Sequence, residues 1–189
     1  MSILALRTDT PPWRAATFKC LDSIIESAGA RIIDFDWTRY DYVSDGLHFT
    51  PSSQADFSRD MADCIAANFS EGTSSIYIVT DSTVDHAPMG ARMLKQELHL
   101  LLPDSVAVTV DAVCGSGFVL MGSMGLDLGS RIRRAVQRGD VRHDTMLVLI
   151  GGWNDLGVDE DHLHGTARRL LGNVRRTMEL GERCSKLSI

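Results

Sequence analysis

The stretch Met146-Leu147-Val148-Leu149-Ile150-Gly151-Gly152-Trp153-Asn154-Asp155 decides the fold. Five consecutive apolar side chains run into a glycine pair and then into two polar residues. A strand with one face in water alternates apolar and polar positions. A strand that is apolar throughout is covered on both faces, as in a parallel sheet flanked by helices. The glycine pair then puts Asn154 and Asp155 on a loop beyond the carboxyl end of that strand.

Working outward, four more segments read as strands: Ile3 to Leu6, Arg31 to Phe35, Ile76 to Val79 and Val106 to Val113. Helical spacing fills the intervals. Arg14 to Ala28 stops at Gly29. Thr50 caps a helix that opens on Pro51, and Phe57, Met61 and Ile65 then recur every four residues. Met89 to Leu101, Arg131 to Arg138 and a last helix carrying Leu163, Ala167, Leu170, Leu171, Val174 and Met178 complete the set. Asp36 to Thr50 reads as a polar loop and Ser70 to Ser75 as linker-like. Apolar strands separated by helices predict one α/β domain over residues 1–189, with a five-stranded parallel sheet in a three-layer α/β/α arrangement.

Size and composition agree. A chain of 189 residues can bury roughly 70% of its unfolded surface without disulfides or metals. Its 44% hydrophobic and 23% charged content is ordinary for a globular protein, which excludes disorder for most of the chain. No apolar run reaches the roughly 20 residues of a membrane span. A net charge of −6 argues against a nucleic-acid-binding surface. Cys20, Cys64, Cys114 and Cys184 contain no C-x-x-C, and no export signal precedes Ile3. The expectation is therefore a cytoplasmic protein with free thiols.

Chemistry concentrates beyond the strands, where catalytic groups of such folds sit. Ile76 to Val79 runs into Thr80-Asp81-Ser82-Thr83. Val106 to Val113 runs into Cys114-Gly115-Ser116-Gly117, and Met146 to Ile150 into Gly152-Trp153-Asn154-Asp155. The loop after Phe35 holds Asp45-Gly46-Leu47-His48. These types suit acyl transfer. The Ser82 hydroxyl needs a base to become a nucleophile, and His48 can supply one, since an unperturbed imidazole titrates at about 6.5. Asp45, three residues earlier, can accept the other ring N–H and fix the tautomer. The Ser82 N–H, the Gly115 N–H and the Asn154 amide can hold the negative oxygen of the tetrahedral intermediate.

These blocks resemble the SGNH hydrolases, also called GDSL esterases. Asp81-Ser82 is similar to the family's G-D-S nucleophile block, with Thr80 where the family has glycine. Gly115 matches its second block. Gly152 to Asp155 matches its G-x-N-D, and Asp45 to His48 its D-x-x-H, continued by Phe49-Thr50-Pro51. The order differs, because the histidine block here precedes the serine block. The chain thus resembles a circular permutation of that fold, with Ser70 to Ser75 joining the usual termini. The resemblance implies a flavodoxin-like sheet and a serine ester hydrolase. It assigns Ser82, His48 and Asp45 as the triad and Ser82, Gly115 and Asn154 as oxyanion donors, with no metal or organic cofactor. The substrate is a small-molecule ester, and the small chain favours short acyl groups.

Other readings are weighed from the same residues. The same sheet could hold an ester or a sugar without turnover. Gly115-Ser116-Gly117 could open a dinucleotide loop, but the next glycine is Gly122, off the G-x-G-x-x-G spacing. His86, four residues from Ser82, is a rival base. His162 and His164 read as a solvated face. Arg131, Arg133, Arg134, Arg138 and Arg142 read as a solvated helix face. Met121 and Met124 read as core or wall packing near Phe118.

Overall fold

The structure is a computed structural model that describes residues 3–7, 23, 25–27, 30–45, 48–85, 89–151, 153–155, 159, 161–162, 164–169 and 171–172. Five strands run β1 Ile3–Arg7, β2 Arg31–Asp34, β3 Ser75–Thr80, β4 Ala107–Ala112 and β5 Thr145–Ile150. The helices whose full extent lies among the described residues are α1 Pro51–Ala67, α2 Ser82–Asp85, α3 Gly90–Leu101 and α4 Leu128–Arg138.

β3 and β5 are buried at every position, and their side chains alternate between two cores. Ile76, Ile78, Met146, Val148 and Ile150 pack with Phe57, Met61 and Ile65 of α1 and Leu94 and Leu98 of α3. Tyr77, Val79, Leu147 and Leu149 face the other way, onto Leu128, Ile132 and Ala135 of α4 and onto Ala167 and Leu171. Helices on both faces are why these strands lack a polar side. The class is α/β, as the periodicity predicts. The sheet order is β2-β1-β5-β3-β4, and every pairing is parallel.

Register positions the site. Thr80, the last residue of β3, pairs with Ala112 on β4 and Ile150 on β5. Three strands therefore end level, and their loops leave from one edge. The chain returns from β4 on one side of β3 to β5 on its other side. Ligands of doubly wound sheets bind where the winding reverses in this way.

Three expectations change in detail. Ser70 to Ser75 is a bonded turn rather than a loose linker, and Ser75 already belongs to β3. Thr73 N–H donates to Ser70 O at 3.1 Å, Ser74 Oγ to Asp144 Oδ2 at 2.5 Å, and the Ser75 and Thr145 hydroxyls lie 2.9 Å apart. α4 begins at Leu128, earlier than Arg131, because Asp127 caps it by accepting from Ser130 N at 2.6 Å. The loop from Asp36 is not merely polar, since Tyr40 and Phe49 are buried. Residues 23 and 25–27 of the helix expected over Arg14 to Ala28 are helical, and its other residues lie outside the described ones. Of the last helix, 161–162, 164–169 and 171–172 are helical; the remainder likewise lies outside.

Two outcomes follow. Phe57 is fully buried among the rings of Phe35, Tyr40 and Phe49. Phe57→Ala should lower the unfolding free energy by about 3–5 kcal/mol in a denaturant titration. Burial pushes the Tyr77 hydroxyl up to about 12, with Asp111 acting in the same direction. The folded protein therefore holds that proton more tightly than the unfolded chain does. Its stabilising effect is complete below the unfolded value of about 10 and is lost as the pH rises toward 12. The melting-temperature difference between wild type and Tyr77→Phe should shift against the wild type across that window.

Candidate active site

His48 sits on a small hairpin. Tyr42 and Phe49 form an antiparallel bridge. Val43 N donates to His48 O at 2.8 Å, and Thr50 N to Asp41 O at 2.9 Å. Beneath, the Tyr40 and Phe49 rings meet edge to face with centroids 5.3 Å apart, and both pack on Phe57 of α1. The hairpin enters α1 through the Thr50 cap, whose oxygen accepts from Ser53 N at 3.3 Å, with Pro51 opening the helix. An aromatic cluster thus carries the histidine loop.

The Asp45 carboxylate binds His48 twice. Oδ1 accepts the His48 backbone N–H at 3.0 Å, and Oδ2 lies 2.7 Å from ring Nδ1. A three-residue spacing lets one short carboxylate reach both atoms, which aligns the ring. Nε2 then lies 3.1 Å from Ser82 Oγ. With Nδ1–H donating to Asp45, Nε2 is left to accept the serine proton. The His48 side chain is 18% exposed and that of Asp45 41%, so the pair is open to solvent.

Ser82 opens α2 directly after Asp81. No described residue other than glycine has a positive φ. Thr80, where the resembled family has glycine, therefore needs no unusual backbone. It ends β3 as an ordinary paired residue, although its hydroxyl is buried with no hydrogen-bond partner among the described residues.

Gly115 turns at φ +74°, a conformation that side chains disfavour. Val113 N–H donates to Thr80 O at 3.1 Å, which joins the start of this loop to the end of β3. Among the described residues, neither the Ser82 nor the Gly115 N–H is bonded to an acceptor. The loop continues past β3 to β5. There the Asp155 carboxylate accepts from Phe118 N at 2.6 Å and from Val119 N and Leu120 N at 3.1 Å each. A side chain at Gly117 would run into that carboxylate. Asp155 is 2% exposed, and three converging N–H dipoles supply what water otherwise would.

Asn154 Nδ2 donates to Asp81 Oδ2 and to Ser116 O, both at 3.0 Å. Its two hydrogens are therefore in use. Asp81 is fully buried, and burial pushes its carboxyl above the usual range. The bonds from Thr83 and the nearby Arg131 charge pull it back, while Asp155 pushes it up.

The structure thus brings Ser82, His48 and Asp45 into one chain of contacts and sets the loops of Gly115 and Asn154 beside Ser82. Two expectations fail. Arg131 is not on a solvated face: its side chain is 2% exposed and ion-paired with Asp111 at 2.9 Å. Arg133, Arg134, Arg138 and Arg142 are exposed. Arg131 stands in register with Leu128, Ile132 and Ala135, the apolar stripe of α4, and that spacing is the signal that could have found it. Met121 and Met124 are not core either. They are 69% and 67% exposed, beside Leu120 at 43%, while Phe118 of this loop joins the core and Val119 packs against it. The threefold N–H grip of Asp155 was also missed, since its donors are backbone groups that no side-chain pattern encodes.

His86, Gly46, Leu47 and Gly152 lie outside the described residues. His162 is exposed and His164 half-buried. Among the described residues no three His, Cys, Asp or Glu side chains converge as a metal site requires. Neither Cys64 nor Cys114 forms a disulfide, whereas Cys20 and Cys184 lie outside the described residues. No described helix is long and apolar enough to cross a membrane.

Comparison with family models, with curated proteins and with solved structures returned no match to this chain.

Asp155→Ala strands three N–H groups near the interior. It should cost at least about 3 kcal/mol in a denaturant titration and raise amide exchange at Phe118, Val119 and Leu120.

Proposed function

We propose that the protein is a serine ester hydrolase. The carrying observation is the relay from Asp45 Oδ2 to His48 Nδ1 at 2.7 Å and from His48 Nε2 to Ser82 Oγ at 3.1 Å. Ser82 Oγ attacks the ester carbonyl carbon as its proton passes to His48 Nε2. Asp45 stabilises the imidazolium. The carbonyl oxygen becomes an oxyanion beside the Ser82 and Gly115 N–H groups, with Asn154 as a third donor once it releases one of its two present acceptors. His48 returns the proton to the departing alcohol, which leaves an acyl-Ser82. Water then attacks that ester while His48 takes its proton. The acid departs and Ser82 Oγ–H is restored.

The strand order supports kinship with a permuted SGNH fold. Numbered from the strand that carries Ser82, the order β2-β1-β5-β3-β4 becomes 5-4-3-1-2, which read from its other edge is the flavodoxin-like 2-1-3-4-5. On that reading Ser82 and Asn154 flank the point where the winding reverses. The chain break of the parent fold falls in the bonded turn 70–74, consistent with termini that lie close together. The expected substrate is a small-molecule ester with a short acyl group, and the expected location is cytoplasmic.

A second reading, an ester-binding module without turnover, is favoured by one observation: both hydrogens of Asn154 are committed to protein acceptors. Labelling separates the two. A fluorophosphonate should add its mass to Ser82, and Ser82→Ala should abolish aryl acetate hydrolysis while leaving the melting temperature within a few degrees. Binding of an ester with neither turnover nor adduct would decide for the module. Within the hydrolase reading, kcat/KM over a series of aryl esters should peak at short acyl chains.

A further inference from the structure

We propose that Arg131 is a positioning residue for this reaction, a buried clamp that holds the Gly115 loop in fixed relation to the strand end bearing Ser82. The proposal rests on the hydrolase reading above. Nη1 donates to Thr80 O at 2.8 Å and to Ser116 Oγ at 2.7 Å. Nε donates to Asp111 Oδ2 at 3.3 Å, and Nη2 pairs with Asp111 Oδ1 at 2.9 Å and also meets Asp111 O. One planar group thus ties the last carbonyl of β3, the end of β4 and the residue after Gly115.

Each contact has a consequence for geometry. Thr80 is two residues before Ser82, so fixing its carbonyl fixes where α2 begins. Gly115 has no side chain to anchor it, and its N–H must stay free for the oxyanion. Its position is therefore set by neighbours. Ser116 supplies three holds, its N–H on Val113 O at 3.3 Å, Oγ on Arg131 and O on Asn154. Of these, the hold on Arg131 is the one that links Ser116 to the carbonyl of Thr80 through a single side chain. Lysine cannot replace this fork, because a single ammonium cannot span acceptors on three segments in one plane. A misplacement of about 1 Å at a reacting centre can cost about 10² in rate.

The test is steady-state hydrolysis of an aryl acetate by the full chain. R131K should lower kcat about 10²-fold with little change in KM, because the loop is misplaced for the transition state rather than for binding. R131A should lose at least as much, and millimolar guanidinium, filling the vacated site, should restore part of its kcat. Ile132→Val on the same helix serves as a control for lost stability: it should lower the melting temperature and leave kcat unchanged. Should R131K fail to fold, Ser116→Ala removes one arm and leaves the Arg131–Asp111 pair, and its kcat should fall as well. Wild-type kcat in R131K or Ser116→Ala overturns the clamp, as does an R131A defect that guanidinium leaves untouched. A wild-type chain that hydrolyses no ester and takes no fluorophosphonate overturns the hydrolase reading and the clamp together. An active wild type with an unimpaired R131K overturns the clamp alone.

Discussion

The alignment of three strand ends is the constraint on which the rest depends. Parallel strands leave a sheet at one edge, but only a level register brings their loops to the same height. Thr80 pairing with both Ala112 and Ile150 provides that level. A slip of one residue between β3 and β5 would exchange the two cores, because Ile78 and Val79 belong to opposite clusters. The apolar packing that stabilises the sheet thereby also fixes the height of Ser82 relative to Asn154. Site precision here is a by-product of core burial on both faces.

Behind the site the molecule accepts buried ionisable groups. Asp81, Asp155 and Arg131 are each at most 3% exposed, and Asp111 pairs with Arg131 from a partly exposed position. Isolated charges so placed would be severely destabilising. They are tolerated because each is bonded to the backbone around it: Asp155 to three N–H groups, Arg131 to two carbonyls, Asp81 to Thr83 N at 2.8 Å. Apolar residues of similar volume could stabilise as well. They could not take hold of backbone atoms in specified directions. The polar cluster is better understood as a device for shaping the loops over β3 than as a source of net stability.

This division explains what was legible in the sequence. The strands were readable because burial on both faces leaves continuous apolar runs, as in Met146 to Ile150. The Asp45–His48 contact was readable because a three-residue spacing lets one carboxylate meet both a ring nitrogen and a backbone N–H. Side chains whose partners are backbone groups were not readable. Arg131 looked like one of five surface arginines, since the helix start at Leu128 that reveals its buried register depends on the Asp127 cap. Met121 and Met124 look like core because they are apolar, yet the loop that carries them is held by Asp155 and by the burial of Phe118, not by these methionines.

Chain order matters less to such a site than the way each part is held. The His48 hairpin is anchored through Tyr40 and Phe49 onto Phe57, a set of contacts internal to residues 35–57. Ser82 is placed by the end of β3, and the Gly115 loop by β4, Asn154 and Asp155. None of these anchors runs through the turn at residues 70–74, whose bonds are internal or to Asp144 and the strands beside it. Opening the chain at that turn would leave every one of these anchors in place. The order in which these parts occur along the chain therefore leaves their arrangement in space unconstrained. Adjacency in the sheet, rather than sequence along the chain, is what the relay from Asp45 to Ser82 requires.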